Sequence, residues 1–99
     1  MQDRIETRGH FATQNAAKYL AQLCKHFGHK VPSEVSEDGR RGDVRFAMGE
    51  AELSADEVGL TAILRGADRD AVDRMRPIID DHLKRFAFRE DFVAMTWVD

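Results

Sequence analysis

The sequence predicts an α+β domain: a two-layer sandwich with two helices packed on one face of an antiparallel sheet, in the order β-α-β-β-β-β-α-β. Three observations carry this. Two segments place apolar residues at helical spacing, and a run of short alternating segments lies between them. The breaks between the short segments hold turn-forming residues, at Asp38-Gly39, at Gly49 and at Val58-Gly59. Ninety-nine residues are enough for one core without staples, so a single domain spanning 1–99 is expected.

Ile5 to Phe11 alternates, with Ile5, Thr7, Gly9 and Phe11 on one side and Glu6, Arg8 and His10 on the other, the pattern of a half-buried strand. Thr13 is the candidate N-cap of a helix from about Gln14 to Phe27, since its hydroxyl can accept from a first-turn amide. In that helix Ala16, Leu20, Leu23, Cys24 and Phe27 share a stripe opposite Lys18, Gln22 and Lys25. Gly28 is expected to end it in the left-handed conformation, and Pro32 prevents continuation.

Four strands should follow. Ser33 to Glu37 turns at Asp38-Gly39, and Asp43 to Ala47 answers with Val44 and Phe46 inward. Ala51, Leu53 and Ala55 alternate with Glu50, Glu52 and Ser54. A loop at Asp56 to Gly59, with glycine left-handed, returns the chain through Leu60 to Arg65. Asp68 caps a second helix, about Arg69 to Phe86, with Ala71, Val72, Met75, Ile78, Ile79, Leu83 and Phe86 on its apolar face. Pro77 lies inside it, on the side away from Met75 and Ile79, and predicts a kink or a break. Phe92 to Val98 is apolar on both faces and reads as a well-covered or partner-contacting strand, a route to self-association. The uncovered sheet face would carry Glu6, Arg8, Arg45, Glu52 and Arg65, mixed charge that can stand in water.

Composition narrows the function classes. The chain is 42% hydrophobic and 33% charged, ordinary for a globular protein. A net charge of −3 and a pI near 5.8 argue against a general attraction to nucleic acid or anionic lipid. The single cysteine excludes an intrachain disulfide. No apolar leader and no run of spanning length is visible, so the expected location is the cytoplasm, away from membrane. Phosphate loops, dinucleotide fingerprints, nucleophile elbows and zincin helices are absent, and no cofactor is expected.

The chemistry-bearing stretch is Cys24-Lys25-His26-Phe27-Gly28-His29-Lys30 at the end of the first helix. It suits a metal, an anion or a partner, and equally an ordinary helix terminus below a buried thiol. Cys24 sits in the apolar stripe, where a free cysteine behaves as a small hydrophobe, and near a helix C-terminus, whose dipole disfavours thiolate. Cys24 and His26 point about 200° apart on a helix, and no second cysteine completes a structural zinc set, so no metal site is assigned. His82 falls within the apolar stripe of the second helix, and a buried imidazole needs hydrogen-bond partners. Side-by-side helices would offer the one route to a Cys24–His82 pair. Lys84 to Arg89 interleaves cations with aromatics, as single-strand platforms do, but Asp80, Asp81, Glu90 and Asp91 flank it. Arg85, Arg89 and Lys30 can form a small anion pocket. The candidate ligand-binding residues are therefore Cys24, Lys25, His26, His29, Lys30, His82, Arg85 and Arg89.

Tyr19 to Pro32, then His82 to Glu90 with Thr96-Trp97, together resemble the motifs of the small bacterial proteins grouped as domain of unknown function 2218. Phe46, Gly49 and Leu53 fit that family's central hairpin, so the resemblance covers nearly the whole chain. It implies no residue roles. The family also occurs beside siderophore-interacting flavin reductase domains, which implies an accessory role near iron uptake, with a siderophore-related protein or small anionic ligand as partner. The chain departs from the family at Ala47-Met48 and at Asp91, both positions where proline is expected, and in having Pro77. The expectation is a binding or interaction module; the alternative is a cysteine/histidine-dependent enzyme or metal-binding protein.

Overall fold

The structure, a computed structural model, describes residues 4–98. The elements are β1 (Ile5–Ala12), α1 (Ala16–Phe27), β2 (Ser33–Val35), β3 (Arg41–Phe46), β4 (Gly49–Ala55), β5 (Gly59–Gly66), α2 (Arg69–Phe86), a 3-10 turn at Phe88–Glu90, and β6 (Thr96–Val98). The strands form one antiparallel sheet in the order β2-β3-β4-β5-β1-β6. β2 to β5 is thus a meander, β1 closes on β5, and β6 adds an edge beyond β1. Both helices lie on one face, α1 chiefly over β2 to β4 and α2 over β5 and β1. The expected architecture is the observed one.

Register explains how the two layers mesh. Thr7, Leu64, Ala51 and Val44 stand opposite one another across four strands and are all buried under the helices. The next row is Gly9, Ala62, Leu53 and Gly42, with a glycine at each end. Those ends are occupied from above. A Cβ on Gly9 would lie 2.6 Å from the Trp97 ring, and one on Gly42 would lie 2.5 Å from Cys24 Sγ. The glycines are docking notches for an indole and a thiol. On the open face Glu6, Arg65, Glu50 and Arg45 form a row of alternating sign. In it Arg65 pairs with Glu6 at 2.9 Å, and Arg4 pairs with Glu50.

Several local expectations need correction. α1 starts at Ala16, not Gln14, and Thr13 is not its N-cap: the Thr13 hydroxyl accepts from the Asn15 amide at 3.1 Å and donates to Glu90. Gly28 is right-handed, with φ −60°. The helix ends instead by tightening, the amides of Lys30 and Val31 both reaching Phe27 O at 2.9 Å. Gly59 has φ 158° instead of a left-handed turn value; it is required because a Cβ would sit 2.2 Å from Phe11 O. β2 ends at Val35, since the Ser36 hydroxyl turns to Asp38 at 2.6 Å and the chain bends there.

α2 runs unbroken through Pro77. Pro77 is exposed, and so is Asp73 four residues earlier, whose carbonyl loses its amide partner and meets water instead. Asp68 caps α2 as expected, accepting from Ala71 N at 2.8 Å. Only Thr96–Val98 of the final segment is strand. Phe92 and Met95 are buried, a spacing of three that an extended strand with period two cannot supply. Phe92 is thereby removed from any surface this segment offers a second copy, leaving Val93 and Val98 exposed.

Candidate functional site

The candidate residues fall into three groups. Cys24 is buried, its Sγ seated against Gly42 and near Ser33, and burial pushes the thiol pKa up. The rings around His82 are those of His26 and Phe27. The thiol and the imidazole of α2 therefore occupy different sides of α1, and no cysteine–histidine pair forms. The Arg89 guanidinium lies 5.7 Å from the centre of the Phe88 ring, and Arg89 is not among the residues that line the hollow beside His26. Lys25, His26, His29, Lys30, His82 and Arg85 remain near the seam between the helices.

That seam is set by antiparallel helix packing. Tyr19 of α1 meets Glu90 beyond α2, while His26, two turns later, meets His82 and Phe86. The His26 and His82 ring centres are 4.7 Å apart with planes tilted by 56°. His82 is half-buried, and its Nδ1 lies 2.7 Å from Ile78 O one turn back. A carbonyl only accepts, so Nδ1 carries the proton in that bond. His26 is half-buried, with Phe27 and Phe86 set edge-on to its ring at 6.0 and 6.2 Å. Desolvation, then the positive charge of His82, Arg85, Lys30 and His29, holds the His26 pKa below the usual histidine value. An open hollow of about 290 Å³ lies here, lined by Gln22, Lys25, His26, His29 and Phe86. The Gln22 side-chain oxygen is buried without a hydrogen-bond partner among the described residues.

A larger hollow, about 560 Å³, opens at the β3–β4 turn among Arg4, Arg45, Phe46, Met48 and Glu50. Arg4 is already neutralised by Glu50 there, whereas the groups that act on His26 at the seam are His82, Arg85, Lys30 and His29. The seam is the stronger anion candidate.

Two carboxylate centres escaped the sequence reading. Glu90 accepts from the Thr13 hydroxyl at 2.8 Å, Asn15 Nδ2 at 3.2 Å and the Tyr19 hydroxyl. The Tyr19 bond, then those of Thr13 and Asn15, holds Glu90 below the usual carboxylate range. Tyr19 is raised, by burial first and by Glu90 second. Asp80 accepts from Met95 N at 3.0 Å and Trp97 Nε1 at 2.9 Å, pinning the C-terminal segment to α2. Arg76 completes that corner, 3.0 Å from Thr7 Oγ1 and 5.9 Å from the centre of the Trp97 ring. The available signal was weak: a buried tyrosine or tryptophan needs an acceptor, but nothing in one sequence says which. Both carboxylates tie segments distant in sequence together and act as latches. No group of three or more histidine, cysteine or acidic side chains placed to hold a metal occurs among the described residues. Nor is any described helix long and apolar enough to cross a membrane.

A two-layer fold with this arrangement of motifs defines a class of small bacterial domains. Residues 8–98 match the family described as "Uncharacterized protein conserved in bacteria (DUF2218)", and the chain belongs to that family. It is similar to the protein in the NMR structure of PA4090 from Pseudomonas aeruginosa, with 32% identity, TM-score 0.77 and 94% of each chain covered. No curated protein matches the chain. At Asp91, where proline was expected, the backbone has φ 55°, a value the proline ring forbids. The family's turn must differ locally wherever proline occupies this position.

Proposed function

We propose that this domain is a binding module for a small multivalent anion, held at the seam between the C-terminal end of α1 and α2. The observation that carries the reading is the gathering of basic side chains at one hollow: Lys25, His26 and His29 line it, His82 lies against His26, and Lys30 and Arg85 add positive charge that His26 feels. Lys25 and Arg85 lie in the last turns of their helices, where their charge is compatible with the dipole and needs no nearby acid. Arg85 and Lys30 supply charge, and Gln22, which lines the hollow, brings an amide whose NH2 is a donor for a bound oxygen. The family resemblance suggests the particular case: an anionic iron chelate, with the domain as an accessory to siderophore handling in the cytoplasm. The reading with Cys24 as nucleophile or ligand has less support, since the thiol is buried and its pKa is raised.

The test is an amide NMR titration with oxalate and, separately, ferric citrate. Oxalate should shift the signals of Gln22 to Lys30 and His82 to Phe86, and Arg85→Ala should weaken binding about tenfold, the loss of one charge-assisted contact. Unperturbed spectra up to about 10 mM, beyond the weak end of specific affinity, would refute the reading. Binding of oxalate but not of ferric citrate would keep the anion site and remove the iron connection.

A further inference from the structure

We infer that anion capture at the seam is proton-linked: the His26 imidazole, in ring contact with His82, takes up a proton as the anion settles, so the site fills on mild acidification and empties toward alkaline pH. This rests on the anion reading above and adds its regulation.

The geometry supports a proton switch in three ways. First, the rings are in contact, 4.7 Å between centres, so a charge on one is felt directly by the other. Second, neither ring is free to swing out of the pair. His82 is tied through Nδ1 to Ile78 O, and His26 is set against Phe27 and Phe86. Third, the charged groups that act on His26 come from α2 and from the turn after α1, and those identified are basic: His82 and Arg85 from α2, and His29 and Lys30 from the turn. Lys25 lines the same hollow.

Without a ligand, this surrounding resists adding a further positive charge, which agrees with the lowered His26 pKa. Desolvation contributes first to that resistance and the neighbouring positive charge second; an anion in the hollow offsets the charge contribution. Linkage then requires the converse: a proton on His26 tightens the anion by the factor by which the anion raises proton affinity. No covalent step is involved; the proton comes from solvent and returns to it. Lysine and arginine stay charged throughout the neutral range, so an anion site built from them alone would show a flat profile between about pH 5.5 and 8. The slope is thus a signature of the imidazoles.

Oxalate is the probe, since its charge does not change over this interval. Its affinity for the wild-type protein should rise as pH falls, by at most about tenfold per pH unit for one proton. The NMR titration midpoint of the His26 ring should move to higher pH in saturating oxalate. His26→Gln should keep measurable binding but flatten the profile, while Arg85→Ala should weaken binding at every pH and keep the slope. The wild-type ring titration needs no variant, so a folding defect in His26→Gln cannot obscure the result. Oxalate binding with a flat profile, or a His26 midpoint indifferent to oxalate, overturns the proton linkage alone. Absence of binding at every pH overturns the anion site itself.

Discussion

Asp80→Ala removes the acceptor that holds the last strand to α2. Two donors lose it together, Met95 N at 3.0 Å and Trp97 Nε1 at 2.9 Å. Met95 is buried and Trp97 half-buried, its ring filling the notch at Gly9, so neither donor simply turns to water. Leaving a buried donor unsatisfied costs about 1–3 kcal/mol. Asp80 is itself half-buried and the two bonds share one carboxylate, so the losses do not add fully; about 2–4 kcal/mol is expected. For a domain of this size each kcal/mol moves Tm by about 4–8 °C, which predicts a fall of roughly 10–25 °C. Asp80→Asn keeps one acceptor and turns its NH2 toward the other donor, so it should lie between. Trp97 is the only tryptophan, so its fluorescence reports on this corner alone. Its emission should shift to the red in Asp80→Ala below the melting transition, and the amides of Thr96 to Val98 should lose protection from exchange. A Tm change under about 3 °C, below the effect of one kcal/mol, with unchanged emission, would refute the latch.

Two further perturbations probe other joints. Gly42→Ala puts a methyl against Cys24 Sγ, with Leu20 Cδ2 3.3 Å away, and overpacking of this kind should cost about 1–3 kcal/mol. Cys24→Ala in the same chain should recover part of it, and a denaturant double-mutant cycle showing strict additivity would contradict the docking of thiol on glycine. At Glu90 the folded pKa is depressed, so its contribution is complete above the ordinary value of 4.5 and is lost as pH falls through the folded value. Wild type should therefore lose stability below that point more steeply than Glu90→Ala. Tyr19→Phe, which removes the first donor, should be intermediate in urea melts at acid pH.

Most of the architecture was legible because it depends on periodicity. The stripes through Leu20, Leu23 and Phe27 and through Val72, Met75, Ile79 and Leu83 are local patterns, and every one of those residues is buried. The charged face needed only the partner rule of alternation, and Arg65 does pair with Glu6. Two of the misreadings share a cause: distant structure overrode a local preference. Thr13 has the right chemistry for a cap, but Glu90, 77 residues away, claims its proton. Phe92 to Val98 has strand composition, but the core takes Phe92 and Met95 and forces an irregular path. Pro77 does not break α2, and its exposed position is the solvent side that the apolar stripe assigns to it.

The site shows the same division more sharply. That His26, His29, Lys30 and Arg85 are basic is plain in the sequence; that they share one field depends on the offset between two antiparallel helices, a quantity no single-sequence pattern contains. The offset is set by the longer reach of α2, 18 residues against 12 in α1, and by the Tyr19–Glu90 contact. With Tyr19 held there, residues further along α1 meet residues earlier in α2, which brings His26 to His82. The same offset explains the fate of Cys24. Two residues before His26, it must point about 200° away from the seam, and there it finds Gly42 in the sheet. Because one helix places its thiol in the core and its imidazole at the seam, the two chemistries cannot be recruited to one centre without unwinding α1. A function based on the exposed seam is therefore compatible with the fold as it stands, and one based on a Cys24–His82 pair is not.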